Sequence, residues 1–177
     1  MMILITLKII TYESSIQGVD MKFKSNYIII PLLTIIVALL GKSITKECDA
    51  WLWYKTLQLP SMTPPDWVFP IAWNIIFIFT TIVAIIVWNS FERTATFWAT
   101  ITLFCINAAM NVLWSYLFFG NHLIAAALIT AIGLEAITIT LTVLIYKRSL
   151  LTALLLIPYI IWGGFAIYLN AIIWYFN

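Results

Sequence analysis

Five long apolar runs divide the chain, at about residues 26–41, 67–88, 95–119, 123–145 and 150–175. Four of them reach the length of about 20 residues that a helix needs to cross a bilayer core. The first is shorter and carries Pro31 near its start, where proline is tolerated. No run alternates apolar and polar residues with the period of two expected of a barrel strand of about 10 residues. The pattern therefore predicts an all-α integral membrane protein, a bundle of five transmembrane helices forming one domain over residues 26–177. Only the first connection, residues 42–66, is long; the others are the tight turns 89–94, 120–122 and 146–149. Helices joined so closely are antiparallel neighbours.

Composition sharpens this picture. Hydrophobic residues make up 64% of the 177 positions and charged ones only 9%, against about 25% charged in a soluble domain. Lys8, Lys22, Lys24, Arg93, Lys147 and Arg148 fall on the amino-terminal side, and Lys42, Lys46 and Lys55 on the other. The excess of positive charge places the amino terminus in the cytoplasm. A net charge of +2 with no basic run argues against a nucleic-acid partner. Cys48 and Cys105 do not form a disulfide framework, and a single histidine, His122, without a carboxylate cluster gives no metal site. Residues 1–25 form an amino-terminal tail. Its first twenty residues suit a disordered segment or a misassigned start ahead of Met21-Lys22-Phe23-Lys24, with a cleaved signal as the alternative.

Candidate chemistry concentrates on one side of the membrane. The long connection contains Trp53-Tyr54, then Pro60, Pro64, Pro65 and Trp67, and leads into Phe69, Trp73 and Phe77. Its prolines fix backbone dihedrals, so this segment should be a stiff lid. Trp73 and Phe77 share a face of the second span at i and i+4. Asn107, Asn111, Trp114 and Phe118 form a polar-aromatic stripe on the third, and Trp162, Ala166 and Asn170 a stripe on the fifth. All three stripes run toward the lid. Amides are costly against lipid and turn inward, so the stripes predict an aromatic small-molecule pocket with a few amide groups. The plainer alternative has the asparagines bonding across helices and the aromatics filling core.

Other residues ask for less. Trp51, Trp88, Trp98 and Trp174 lie near span ends, where indoles favour the headgroup boundary. Glu135 is an acid deep in the fourth span, suited either to a proton or ligand partner or to a protonated carboxyl bonded to a neighbouring helix. Gly163-Gly164 reads as a close helix approach or a dimer contact. No nucleophile–base pair or phosphate-cradling loop is present, so no catalytic residue is assigned. His122, in a three-residue turn, is expected at the solvated interface.

These motifs resemble the translocator protein family, also known as peripheral-type benzodiazepine receptors or, in bacteria, tryptophan-rich sensory proteins. The resemblance rests on Trp53-Tyr54 with Leu57, Pro60, Thr63-Pro64-Pro65, Trp67, Phe69 and Trp73; on Asn111 with Leu113-Trp114-Ser115 and Phe118-Phe119-Gly120; and on Pro158-Tyr159, Trp162, Phe165-Ala166 and Leu169-Asn170. It implies a five-helix bundle, often a homodimer, that binds porphyrins such as protoporphyrin IX and, in many members, cholesterol or synthetic isoquinoline and benzodiazepine ligands. The implied ligand-binding residues are Tyr54, Phe69, Trp73, Phe77, Asn107, Asn111, Trp114, Trp162 and Ala166. No obligatory cofactor is implied; a porphyrin would be the ligand.

The chain departs from the family pattern in two places. Thr130 stands where members usually carry an acid, and no Lys or Arg follows Arg148, which argues against sterol binding through a tyrosine-plus-basic motif near the end of the chain. The missing basic residues and the charge bias together point to a bacterial cytoplasmic membrane. The resemblance suggests a sensory or regulatory role in tetrapyrrole handling. One alternative is light-dependent porphyrin breakdown, with Trp73 and Trp162 as the electron-rich partners. A second is transport of porphyrins or other lipophilic molecules, which the expected absence of repeats, broken helices and several buried charges disfavours.

Overall fold

The computed structural model describes residues 24–47 and 50–177. The expectations for residues 1–20 and for Cys48 lie outside the described residues. Helix α1 spans Asn26–Glu47 and is followed by a short α2, Ala50–Tyr54. Then come α3 (Val68–Ser90), α4 (Ala95–Ser115) with a π-helical turn at Tyr116–Gly120, α5 (Ile124–Tyr146), α6 (Leu150–Leu154) and α7 (Ile157–Phe176). Five segments are long and apolar enough to cross a membrane: Asn26–Thr45, Val68–Ser90, Ala95–Gly120, Ile124–Tyr146 and Leu150–Phe176.

Local chemistry explains the boundaries. Thr94 Oγ1 accepts from the Phe97 N–H at 3.4 Å and Ser149 Oγ from the Thr152 N–H at 3.3 Å, capping the first turns of α4 and α6. Within the spans, threonine hydroxyls donate to the carbonyl one turn back, as Thr130 does to Ala126 and Thr138 to Leu134. Most hydroxyls in the spans are thus satisfied within the apolar layer, although Thr80 Oγ1 in α3 is buried without a hydrogen-bond partner among the described residues. The π turn is closed by the Asn121 N–H on the Tyr116 carbonyl at 2.9 Å, and His122 completes the reversal with φ of 56°. That left-handed backbone is uncommon for a residue other than glycine.

Two boundaries differ from the sequence reading. The first helix does not stop at Gly41 but continues to Glu47. Ser43 Oγ and Thr45 Oγ1 bond back to the Leu40 and Gly41 carbonyls at 2.9 Å each, so polar residues ride on the helix beyond the apolar run. The last span, expected to be continuous and unbroken, is interrupted at residues 155–156. Pro158 lacks the N–H that would reach the Leu154 carbonyl, and its ring crowds that position, so the helix stops and restarts with proline in its first turn.

α5 is the central partner, packed on α4 and α7, while α1 lies against α4 and α3. α3 touches α4 and α7 only sparsely, and this looseness leaves a hollow. An apolar cluster of Val83, Val87, Phe97, Leu141, Ile145, Ala153 and Leu156 seals the end away from the long connection. A second, built from Tyr54, Phe118, Ala127 and Ile173, closes the lid end. The break itself, at residues 155–156, belongs to the first cluster and does not line the hollow, unlike the breaks of the discontinuous helices that form transporter sites.

Candidate functional site

A cavity of about 330 Å³ occupies the lid-side half of the bundle. Its walls come from α1, α2, α3, α4 with the π turn, and α7. Of the nine residues proposed from sequence, Tyr54, Phe69, Trp73, Phe77, Asn111, Trp114, Trp162 and Ala166 line it. Asn107 does not: it is buried behind the wall, 4% exposed, because its amide is consumed within the bundle. Asn107 Nδ2 donates to Thr138 Oγ1 at 3.1 Å, and the Tyr159 hydroxyl donates to Asn107 Oδ1 at 3.1 Å. Asn107 is therefore a brace joining α4, α5 and α7.

The same network orients Asn111. Its Nδ2 donates to Tyr159 Oη at 2.7 Å and faces the backbone and side-chain oxygens of Asn107 at 3.1 and 3.3 Å. Three oxygens around one nitrogen fix the amide's direction and leave Oδ1 as an acceptor on a residue of the cavity wall. Trp114 is held similarly: its indole N–H donates to Asn170 Oδ1 at 3.1 Å, while Asn170 Nδ2 reaches the Ile124 carbonyl at 3.2 Å. Among the described residues the indole N–H of Trp162 is buried with no hydrogen-bond partner, which leaves a donor in the wall.

Aromatic edges set the shape. Trp73 packs edge-on to Tyr159 with centroids 6.1 Å apart, and Phe69 does the same to Trp162 at 5.7 Å. Trp114 stacks on Phe118 at 5.2 Å. Such edge-to-face and stacked pairs are favoured ring geometries, and they hold the wall rings in place.

The lid is fastened at several points. Trp53 stacks on the His122 ring at 4.0 Å and meets Phe118 at 5.4 Å. Tyr54 contacts Phe118 and Phe119. Farther along, the Gln58 N–H donates to Asn177 Oδ1 at 3.0 Å, and Asn177 Nδ2 returns a bond to the Gln58 carbonyl at 3.3 Å. The connection is thus pinned to the end of α7 as well as stiffened by its prolines. Burial pushes the Tyr54 phenol above its ordinary value, and the negative charge of Asp66 adds to the shift, so Tyr54 stays a neutral hydroxyl at the roof. His122 is exposed, as expected, and its ring serves the lid.

Sequence reasoning missed the α1 wall: Val37, Ala38, Gly41, Lys42 and Thr45. The spacing of Ala38, Gly41 and Thr45 on one helical face was the available signal, hidden because the first span was ended at Gly41. Asp66, Ser115 and Phe119 were also unassigned and line the cavity. Among the belt tryptophans, Trp98 and Trp174 are exposed, at 53% and 55%. Trp88 instead packs on Phe97 beneath the Arg93 guanidinium, which lies 4.5 Å from its ring centre; the side chain of Trp51 lies outside the described residues.

Behind the cavity lies a smaller hollow of about 20 Å³, bordered by Glu135, Tyr159 and Gly163 and sharing Trp73, Trp114 and Ala166 with the main one. A Cβ at Gly163 would overlap Glu135 Oε2 and sit 3.2 Å from its Cδ. Gly163 therefore makes room for the carboxyl, while Gly164 faces open space. Gly163→Ala should lower stability by at most about 1 kcal/mol, because overpacking of about 1–3 kcal/mol is partly relieved by movement of the flexible Glu135 side chain and partly offset by a helix-propensity gain of about 1 kcal/mol. Adding Glu135→Ala should reverse that loss. A double-mutant cycle of thermal unfolding in detergent measures the coupling; additive effects would refute the steric account.

A multi-helix membrane bundle with a roofed aromatic cavity is the class that this fold and site define. The TspO/MBR family model matches residues 28–175, and the chain belongs to that family. The chain is 37% identical over 140 residues to the tryptophan-rich protein TspO of Chlorobaculum tepidum, covering 78% of this chain and 87% of that protein. It is 38% identical over 126 residues to the tryptophan-rich protein TspO of Archaeoglobus fulgidus, covering 71% and 80%. The human translocator protein is 31% identical over 125 residues, 69% of this chain and 73% of that protein.

Proposed function

We propose that the protein binds a flat, apolar tetrapyrrole, a porphyrin in the first instance, in the lid-side cavity and serves a sensory or regulatory role in tetrapyrrole handling. The observation that carries this reading is the meeting of Phe69, Trp73, Trp114 and Trp162 from three helices around one hollow. Ring faces and edges of this kind suit a planar π-system. The size also suits a small-molecule site, since such pockets run from about 300 to 1,000 Å³. Asn111 Oδ1 offers an acceptor for pyrrole N–H groups, and the Trp162 N–H is a donor for an acceptor on the ligand.

The test is a titration of the protein in lipid nanodiscs with protoporphyrin IX, read by quenching of tryptophan fluorescence. Saturable quenching at one porphyrin per chain, absent from empty discs doped with tryptophan octyl ester, is expected. Quenching no greater than that of the ester-doped discs would reject the reading.

Light-dependent breakdown of the bound porphyrin is a second reading, favoured by the presence of the Trp73 and Trp162 indoles in the cavity wall. Dioxygen would be the oxidant and the excited porphyrin the sensitiser. Illumination under air should then give a defined product from wild type and none under argon. The membrane would be a bacterial cytoplasmic membrane, with the amino terminus inside.

A further inference from the structure

Among the described residues the wall of the cavity carries one ammonium, that of Lys42, and one carboxylate, that of Asp66. Lys42 belongs to the part of α1 that extends beyond the apolar run, and its position follows from the packing there. Gly41 brings α1 close to α4; a Cβ on it would stand 3.4 Å from Ser115 Oγ. With the helices this near, Ala38, Lys42 and Thr45, at i, i+4 and i+7, share the face that lines the hollow. Asp66, two residues before the first turn of α3, also borders the hollow. Among the described residues Lys42 has no carboxylate within ion-pair distance, and Asp66 acts on Tyr54 instead. An exposed cation at the mouth of an apolar chamber, with no carboxylate partner among the described residues, matches an acid on the ligand.

We infer that Lys42 is an anion-recognition residue and that the site selects planar apolar acids, seating one carboxylate on the Lys42 ammonium while the ring system lies among the tryptophans. This rests on the pocket reading above and narrows it. The negative charge of Asp66 disfavours a carboxylate next to it, so the two charges bias the acid edge of the ligand toward Lys42 on α1. Charge-assisted hydrogen bonds from an ammonium to a carboxylate are about twice as strong as neutral ones; Lys42 and Asp66 are both exposed, so added salt should weaken the contact. Lysine supplies a compact charge rather than a planar fork, so arginine should substitute for it in part.

The experiment compares protoporphyrin IX with its dimethyl ester, which keeps the macrocycle and removes both charges. Binding is measured in phosphatidylcholine nanodiscs, with empty discs correcting for partition into lipid. Wild type should bind the acid about tenfold more tightly than the ester. Lys42→Met should abolish the preference without weakening the ester, Lys42→Arg should keep most of it, and Asp66→Asn should strengthen the acid about threefold. Helical circular dichroism and ester affinity together report that each variant is folded. Equal binding of acid and ester by wild type, or a preference that survives Lys42→Met, would overturn the assignment while leaving the pocket intact. Failure of wild type to bind either compound would remove the pocket reading, and this inference with it.

Discussion

Replacing Trp73 and Trp162 together by alanine is expected to weaken porphyrin binding about 100-fold, or about 2.8 kcal/mol. Each indole presents about 150–250 Å² of surface, and both border the cavity. Trp73 also supports Phe77 and Tyr159, and Trp162 supports Phe69 and Phe165. Removing either ring therefore loses a ligand contact and loosens the neighbours that shape the wall. Each single variant should cost about tenfold, and Trp→Phe at either position less, since a phenyl ring retains part of the stacking surface. Porphyrin absorbance, rather than tryptophan emission, must be the readout once indoles are removed. Trp98→Ala is the matched control, because Trp98 is exposed at the far end of α4 and lies outside the cavity. Equal affinity in the double variant and wild type would place the ligand elsewhere.

What could be read from the chain in advance was whatever depends on helical period. The spacing of Trp73 with Phe77, of Asn111 with Trp114, and of Trp162 with Ala166 placed these residues on common faces, and the structure brings those faces to one hollow. Period says which residues share a face; it does not say how deep each lies behind that face. Asn107 and Asn111 are one turn apart on the same stripe, yet only Asn111 reaches the cavity, while the Tyr159 hydroxyl takes the Asn107 Oδ1. A tyrosine from another helix is invisible to a spacing argument. Charge misled in the opposite direction at α1, where Lys42 and Lys46 suggested a loop although intrahelical bonds continue past them. The break before α7 was foreshadowed by Pro158, but a long apolar run outweighed one proline. Gly163-Gly164 was read as a close helix approach or a dimer contact; Gly163 does approach α5, at the Glu135 carboxyl, which no spacing argument names, while Gly164 faces open space.

Asn107→Leu should be the most damaging single change to the bundle itself, lowering stability by about 2 kcal/mol while leaving porphyrin affinity within about threefold. Leucine fills a similar volume, so the loss is polar. Thr138 loses a donor at 3.1 Å but keeps its own bond to the Leu134 carbonyl. Tyr159, 3% exposed, loses its acceptor on Asn107 and keeps the bond it receives from Asn111, with the Thr138 hydroxyl as its remaining side-chain partner. The poorer acceptor for a buried O–H is the main cost, since a buried unsatisfied group is worth about 1–3 kcal/mol. Interhelical bonds inside membranes average about 0.6 kcal/mol and reach about 1.7, so the two lost cross-helix bonds and the poorly satisfied hydroxyl together support a figure near 2. For a chain of this size that corresponds to a fall of about 4–8 °C in the unfolding midpoint. Tyr159→Phe, which removes that donor as well, should cost less than Asn107→Leu and should make the second change cheaper when the two are combined. Thermal unfolding in one detergent, with porphyrin titrations of the same samples, separates brace from binding wall. A large loss of affinity with an unchanged midpoint would show that Asn107 touches the ligand after all.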